Sequence, residues 1–442
     1  MKWCSTIFGL LLAVSIQPDA EAGDKPNVIF ILVDDMGYGD VGPYGATDLQ
    51  TPHLDRMARE GVKLTDNYAA APVCTPTRIA FLTGRYQQRS GIEWAFAGAG
   101  SPGLSTSETS VARMVKNNGY ATGLMGKWHV GITPETGPNA HGFDEFFGFL
   151  GANIDFYTHR EVIPERGFPD LYENTKPVKK DGYMTHLITE RSVDFIERHA
   201  GKPFFLFVSY NAPHWPFQPP NRRWVATAEN RLEGTREDYN GMVEAIDDGV
   251  GEILDVLDRK GLASNTLVIF TSDNGGERLS RTAPFFNHKA TLWEGGIRVP
   301  GLVRWPKRLP AGKTSDQAVI TMDYSATILA ATGSAPPEGR TLDGIDILPI
   351  LSGEKPPQER TFFWRVKFVG ECNPQRPYWQ CYVQKAVRKG HWKYVLDGVE
   401  QVDMLFDLRT DPSERQTLTY EKPELVEEIK RLYANWEQDV DQ

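Results

Sequence analysis

The chain has 442 residues, 40% hydrophobic and 24% charged, with a formal charge of −10 and four cysteines. This is ordinary globular composition, which excludes disorder, collagen and coiled coil. The acidic balance argues against a general phosphate-backbone binder, four cysteines are too few for a disulfide scaffold, and the length predicts one large domain plus a smaller one.

Residues 1–22 read as a cleavable leader. Met1 and Lys2 begin an n-region, and Ala20-Glu21-Ala22 supplies a small-x-small cleavage pattern. Between them, Ile7 to Ile16 is an apolar stretch shorter than the ~20 residues of a membrane span. Export, secreted or periplasmic, is therefore expected, and Cys4 leaves with the leader. Asn27 to Val33 is an unbroken β-branched and aromatic run, the pattern of a strand buried on both faces, and it ends in Asp34-Asp35. Thr51 as cap and Pro52 at the first position open a short helix that Gly61 closes. Next comes Cys74-Thr75-Pro76-Thr77-Arg78, where Pro76 suits a first helical turn and so places Cys74 near a helix N-terminus. There the helix end favours an anion and lowers a thiol's pKa, whereas a lone Cys is more commonly a buried structural residue; the motif alone leaves both readings open.

Further along, 107–118 reads as a helix stopped by Gly119, with a strand over 120–125. Phe204 to Ser209 repeats the buried-strand pattern. Over 237–260, Met242, Ile246, Val250, Ile253, Leu254 and Leu257 recur at helical spacing before Gly261. Thr266 to Thr271 forms another buried strand, ending in Ser272-Asp273-Asn274-Gly275. After about residue 345 the pattern changes to shorter aromatic strands (361–366, 382–387, 392–396) and an amphipathic helix over 422–438. Strands alternating with helices predict an α/β fold, a mostly parallel sheet sandwiched by helices, with its site beyond the carboxyl ends of the strands. The expected division is a catalytic domain at 23–345 and a smaller α+β domain with antiparallel strands at 346–442.

Asp34, Asp35, Asp273 and Asn274 offer only oxygen ligands. Three carboxylates converging at strand ends repel one another unless a cation neutralises them, and oxygen-only ligation favours calcium or magnesium over zinc. Either dipeptide alone reads as a strand-terminating turn; the two together favour a metal site.

These pieces together resemble the type I sulfatases of the alkaline phosphatase-like superfamily. The similarity runs from about Pro26 through the C-terminal region. It is carried by Pro26 to Asp40, Cys74-Thr75-Pro76-Thr77-Arg78 with Leu82-Thr83-Gly84-Arg85, and Gly126-Lys127-Trp128-His129. It continues in Ala212-Pro213-His214-Trp215-Pro216, Asp273-Asn274-Gly275, and Lys289 leading into Glu294-Gly295-Gly296-Ile297-Arg298-Val299-Pro300. The resemblance implies the superfamily's sheet fold with a smaller C-terminal domain, and a sulfuric ester hydrolase of the arylsulfatase or N-acetylgalactosamine-6-sulfatase kind. Cys74 matches the cysteine that a formylglycine-generating enzyme oxidises. One hydroxyl of the aldehyde hydrate attacks sulfur, and deprotonation of the other expels sulfate. By the same match Asp34, Asp35, Asp273 and Asn274 hold one calcium ion, with residue 74 facing it. Arg78 positions the hydrate, Lys127 and Lys289 neutralise the sulfate oxygens, His129 is the base, and His214 with Lys289 the acid. Thr77 departs from the Ser or Ala more usual in the family.

The implied substrate is a sulfated carbohydrate or aryl sulfate, with no nucleic-acid partner. Alternatives are a phosphonate or phosphodiester hydrolase of the same superfamily and a non-catalytic sulfated-glycan binder; a Cys–His thiol hydrolase lacks any accompanying signature. Because the chain is acidic overall, a sulfated substrate has to be captured by a local cluster of calcium, Arg78, Lys127 and Lys289. His53, His141, His159, His186, His199, His288 and His391 have no secure match in the family and read as structural. His159, Arg160, Arg281 and Trp94 lie in loop-like stretches that suit a pocket lining. Cys372 and Cys381 flank a short loop, and export permits a disulfide there, worth ~2–3 kcal/mol in the chain-entropy picture.

Overall fold

The computed structural model describes residues 25–96, 101–162, 167–367, 383–398 and 401–442. The leader and both Cys372 and Cys381 lie outside them. The long strands join one ten-stranded sheet. Its centre runs, in spatial order, Gly301–Arg304, Thr266–Ser272, Asn27–Val33, Phe204–Ser209, Ala121–Lys127 and Glu145–Phe149. The last five are mutually parallel, and Gly301–Arg304 is antiparallel.

The strand Asn27–Val33 has no polar alternation because both of its faces are covered. Val28, Phe30 and Leu32 enter one hydrophobic core with Ile79, Phe81, Val115 and Ile328. Ile29, Ile31 and Val33 enter the other, with Leu54, Ile188, Ile246 and Val250. The result is helix, sheet, helix in three layers, as expected of such runs.

Helix ends follow local chemistry with tertiary amendments. The long helix Arg236–Arg259 starts at a Thr235–Asp238 capping box, and Gly261 follows it with φ 69°. Thr51 does precede the helix Pro52–Glu60, but its hydroxyl accepts the Gly42 N–H at 2.8 Å. The free N–H groups of that helix go instead to Asp247 of the long helix, His53 at 3.0 Å and Leu54 at 2.7 Å. The helix expected from 107 begins at Val111, because Ser110 is the residue whose side chain accepts the Arg113 N–H.

A second sheet is antiparallel: Thr361–Lys367, Val383–Lys389, Trp392–Asp397 and Val402–Asp407 in that order, backed by the helix Pro423–Val440. Its core residues Trp364, Val387, Val395, Leu405 and Ile429 pack together with Ala80, Leu292, Ile297 and Met322 of the large sheet's layers. It therefore buttresses both the helix that begins at Cys74 and the segment after Lys289. Among the described residues no helix is long and apolar enough to cross a membrane.

Candidate active site

The site forms where three parallel strands end level. Val33 is opposite Ser272, and Leu32 opposite Ser209. Past those pairs the chains stay joined, with Asp273 N–H bonding the Val33 carbonyl at 3.0 Å and Asp34 N–H the Ala212 carbonyl at 3.2 Å. Register alone thus sets Asp34 and Asp273 side by side. Asp35 turns through a left-handed backbone conformation, φ 64°, which Asp tolerates better than most residues, and its N–H bonds Asp273 Oδ1 at 3.3 Å. Asn274 Nδ2 donates to Asp35 Oδ1 at 2.7 Å. The loop behind is pressed close: a Cβ at Gly275 would sit 2.0 Å from the Gly295 carbonyl oxygen, so Asp273-Asn274-Gly275 and Glu294-Gly295-Gly296 are two halves of one contact.

Each carboxylate has a cation. Lys127 Nζ bonds Asp34 Oδ2 at 2.5 Å, with both side chains fully buried. Lys289 Nζ bonds Asp35 Oδ2 at 2.6 Å. Arg78 donates to Asp273 Oδ2 from Nε at 3.1 Å and Nη2 at 2.8 Å, and from Nη1 to Ser209 Oγ at 2.7 Å. Burial works against ionising Asp34, but Lys127, His214 and Arg78 hold its carboxyl well below the usual range. Asp273 goes the other way, pushed up to about 7 by burial and by Asp34, against the pull of Arg78. Two oxygens of the cluster, Asp34 Oδ1 and Asn274 Oδ1, are buried with no hydrogen-bond partner. An unmet buried acceptor costs ~1–3 kcal/mol, and a hard cation satisfies several at once; the donor set is that of a metal site for an oxygen-loving ion.

Cys74 opens the helix Cys74–Thr83, and atoms of Asp34, Asp35 and Cys74 lie within 4.8 Å of one another. Of the two readings left open for Cys74, an acidified thiol at a helix end and a buried cysteine, the structure favours burial. Burial pushes the thiol up to about 12, with Asp34 and Asp273 adding to it and Lys127 and Lys289 opposing. An unmodified Cys74 is therefore a neutral thiol at pH 7, which counts against thiolate chemistry.

The histidines have defined tautomers. A carbonyl only accepts, so His129 Nε2, 3.1 Å from the Phe96 carbonyl oxygen, carries the proton, and Nδ1 is left buried and unpartnered with its lone pair. Burial, Lys127 and Arg78 keep that ring neutral. His214 Nδ1 donates to the Trp215 carbonyl at 2.6 Å, leaving Nε2 at 3.5 Å from Asp35 Oδ2. Burial takes its pKa to about 4, even though Asp35 favours the charged ring. His214 is thus neutral here and accepts a proton at Nε2 before it can give one. Lys289, by contrast, keeps its proton: burial opposes the charge, but Asp35 and Glu277 hold its pKa well above the ordinary range.

All the residues singled out as a site, Asp34, Asp35, Cys74, Arg78, Lys127, His129, His214, Asp273, Asn274 and Lys289, come together at this one sheet end. The pocket-lining expectations fare differently. Trp94 packs on the core of the second sheet, and Arg281 is ion-paired with Asp48 at 3.0 Å. His159 is buried just after the turn at 156–158, and Arg160 is exposed in an isolated bridge to Pro169. His141 and His199 are buried with backbone partners. Two participants were missed. Ser209 joins Arg78 to the Lys127 carbonyl, accepting from one and donating to the other at 2.7 Å each. Glu277 lies 3.6 Å from Lys289 Nζ and belongs with Asp35 and His214 to a second close group of ligand atoms. The only sequence signal for Glu277 was its nearness to Asp273-Asn274-Gly275.

The sulfatase family model matches residues 26–334, and a model described as N-sulphoglucosamine sulphohydrolase, C-terminal, matches 284–442. N-acetylgalactosamine-6-sulfatase from Homo sapiens is 32% identical over 454 residues, covering 93% of this chain and 85% of that one. Steryl-sulfatase from Mus musculus is 32% identical over 527 residues, covering 94% and 82%. Among solved structures, Ps i-CgsB in complex with k-i-k-neocarrahexaose superposes with a TM-score of 0.84 at 32% identity, covering 95% of this chain and 94% of that one. Matches of that extent span both sheets and the strand ends where the acidic cluster sits, and on them the chain belongs to the sulfatase family, enzymes that hydrolyse sulfuric esters.

Proposed function

We propose that the chain releases inorganic sulfate from a sulfated carbohydrate, using a formylglycine made from Cys74 and a calcium ion held by Asp34, Asp35, Asp273 and Asn274. The observation that carries this reading is the convergence of Cys74 with Asp34 and Asp35 within 4.8 Å, beside three buried or nearly buried cations. As a plain thiol Cys74 is protonated and enclosed, a poor nucleophile. Its oxidation by a maturation enzyme to an aldehyde would replace that thiol with a hydrated carbonyl at the same spot. The calcium ion, when bound, would polarise the attacking hydroxyl and tip a cluster of three cations and three carboxylates to a net positive charge that draws the sulfate.

The side chains then divide the proton work. His129 Nδ1, with its free lone pair, suits the base that unlocks the hydrate. Lys289 is the group that brings a proton to the leaving oxygen; neutral His214 shares that role once it has taken one up. Lys127, buried against Asp34, would neutralise charge developing on the sulfate oxygens, and Arg78 fixes Asp273. The carbohydrate assignment rests on the oligosaccharide complex of Ps i-CgsB and on the name of the N-acetylgalactosamine-6-sulfatases, and export by residues 1–22 accords with it.

The test combines the intact mass of the Cys74 peptide with sulfate release from defined sulfated mono- and oligosaccharides, and with matched sulfate and phosphodiester esters of one phenol. An aldehyde-mass peptide with sugar-sulfate turnover is expected. Turnover by protein whose Cys74 is wholly thiol, or faster phosphodiester cleavage, overturns the proposal.

A further inference from the structure

Glu277 has no part in the scheme above, yet it is built into the site. The Lys289 N–H bonds the Gly276 carbonyl at 2.9 Å, so the two loops are clamped together at the backbone just where Glu277 follows. Glu277 is braced in turn by a Ser280 N–H on its own carbonyl at 3.0 Å. Its side chain is 33% exposed overall, but Oε2 is buried, has no hydrogen-bond partner, and lies 3.6 Å from Lys289 Nζ. The ammonium therefore faces two carboxyl groups, Asp35 at 2.6 Å and Glu277 at 3.6 Å, and the Lys289 side chain is 14% exposed at the rim of the cluster. A flexible four-carbon stem with a single partner would be drawn onto Asp35 alone; a second carboxyl, pushed up to about 7 by burial and by Asp35 against the pull of Lys289, gives the ammonium a second acceptor that defines where it rests.

We propose that Glu277 is a positioning residue for Lys289, holding its ammonium at the rim where the leaving oxygen of the sulfate ester must be protonated. This rests on the sulfatase reading, and in particular on Lys289 as proton donor. Leaving oxygens that form stable anions need little protonation in the transition state, whereas poor leaving groups depend on it. Disturbing the donor's position must therefore hurt poor leaving groups selectively, which a general loosening of the fold does not.

The experiment measures kcat and KM for phenyl sulfate and 4-nitrophenyl sulfate with the full, matured enzyme and with Glu277→Gln, Glu277→Asp and Lys289→Ala. Lys289→Ala is expected to lose ~10²–10⁴ in kcat on phenyl sulfate and much less on the nitrophenyl ester. Glu277→Gln should follow the same pattern on a smaller scale, about tenfold against less than about threefold, with KM nearly unchanged. Glu277→Asp, which keeps the carboxylate, should recover most of the loss. Equal losses of Glu277→Gln on both esters, or none on either, overturn the proposal. If Lys289→Ala itself shows no leaving-group dependence, the proton-donor reading fails and this inference with it.

Discussion

Arg78 is 1% exposed and spends its guanidinium on Asp273 twice, on Ser209 and on the Lys127 carbonyl, so Arg78→Met keeps the stem's packing and removes only the head. What remains is a fully buried Asp273 beside Asp34 with its nearest cation gone. Breaking a buried pair by deleting one partner costs ~3–5 kcal/mol, most of it the uncompensated charge. The sign with pH follows from the carboxyl's raised pKa. Between 3.8 and about 7 the native state keeps a proton that the unfolded state has lost, so the site's contribution falls as pH rises through about 7. Losing Arg78 raises that pKa further, and the variant's deficit should widen above neutrality. Adding Asp273→Asn removes the charge that is stranded above neutrality, so at alkaline pH the double variant should be more stable than the sum of the singles by ~2 kcal/mol or more. Urea unfolding followed by tryptophan fluorescence, with chelator present so that bound cation does not mask the effect, measures all four corners of the cycle. Costs that simply add to within ~0.5 kcal/mol would refute the argument that Arg78 acts by compensating Asp273.

Cys74→Ala should lower sulfate release at least ~10³-fold while leaving the melting temperature near wild type, since the residue sits at a helix start and not in a core stripe; retained turnover sinks the nucleophile assignment. Chelation should lower both activity and melting temperature, by the equivalent of ~2.7 kcal/mol where calcium had been present at 100 times its Kd, with calcium restoring more than magnesium. No change in either property would remove the metal from the acidic cluster. Glu414 is pushed up to about 7 by burial and by Glu294, against Lys393, so its contribution to stability is lost as pH rises from about 4.5 through about 7. Glu414→Gln does not titrate and should gain on wild type over that window; parallel stability profiles would contradict it.

The fold was legible where burial leaves a one-dimensional trace. Asn27–Val33, Phe204–Ser209 and Thr266–Ser272 are largely apolar because helices cover both sides of the sheet, and the acidic ends of the first and third mark the site because parallel strands finish on one edge. The helices Met184–Arg198 and Thr321–Thr332 were not picked out. The second is buried along most of its length, so no polar face gives it a helical period. Glu277 has no sequence signal beyond its nearness to Asp273-Asn274-Gly275; its approach to Lys289, at 3.6 Å, comes from the fold, which also joins the Lys289 N–H to the Gly276 carbonyl.

Residue types and order along the chain determined the donor set: oxygen ligands at two strand ends, a cysteine at a helix start, and lysines and histidines in recognisable surroundings. Tertiary structure decided what charge each of them carries. A helix start favours an acidified thiol at position 74, but burial in the folded chain pushes it up to about 12. His214 likewise is neutral because burial outweighs Asp35, and Lys289 is charged because Asp35 and Glu277 outweigh burial. Propensity acts over a few neighbouring residues, whereas desolvation and Coulomb forces depend on whatever is packed nearby, and at this site those neighbours come from segments as distant in the chain as Asp34, Lys127, His214 and Lys289.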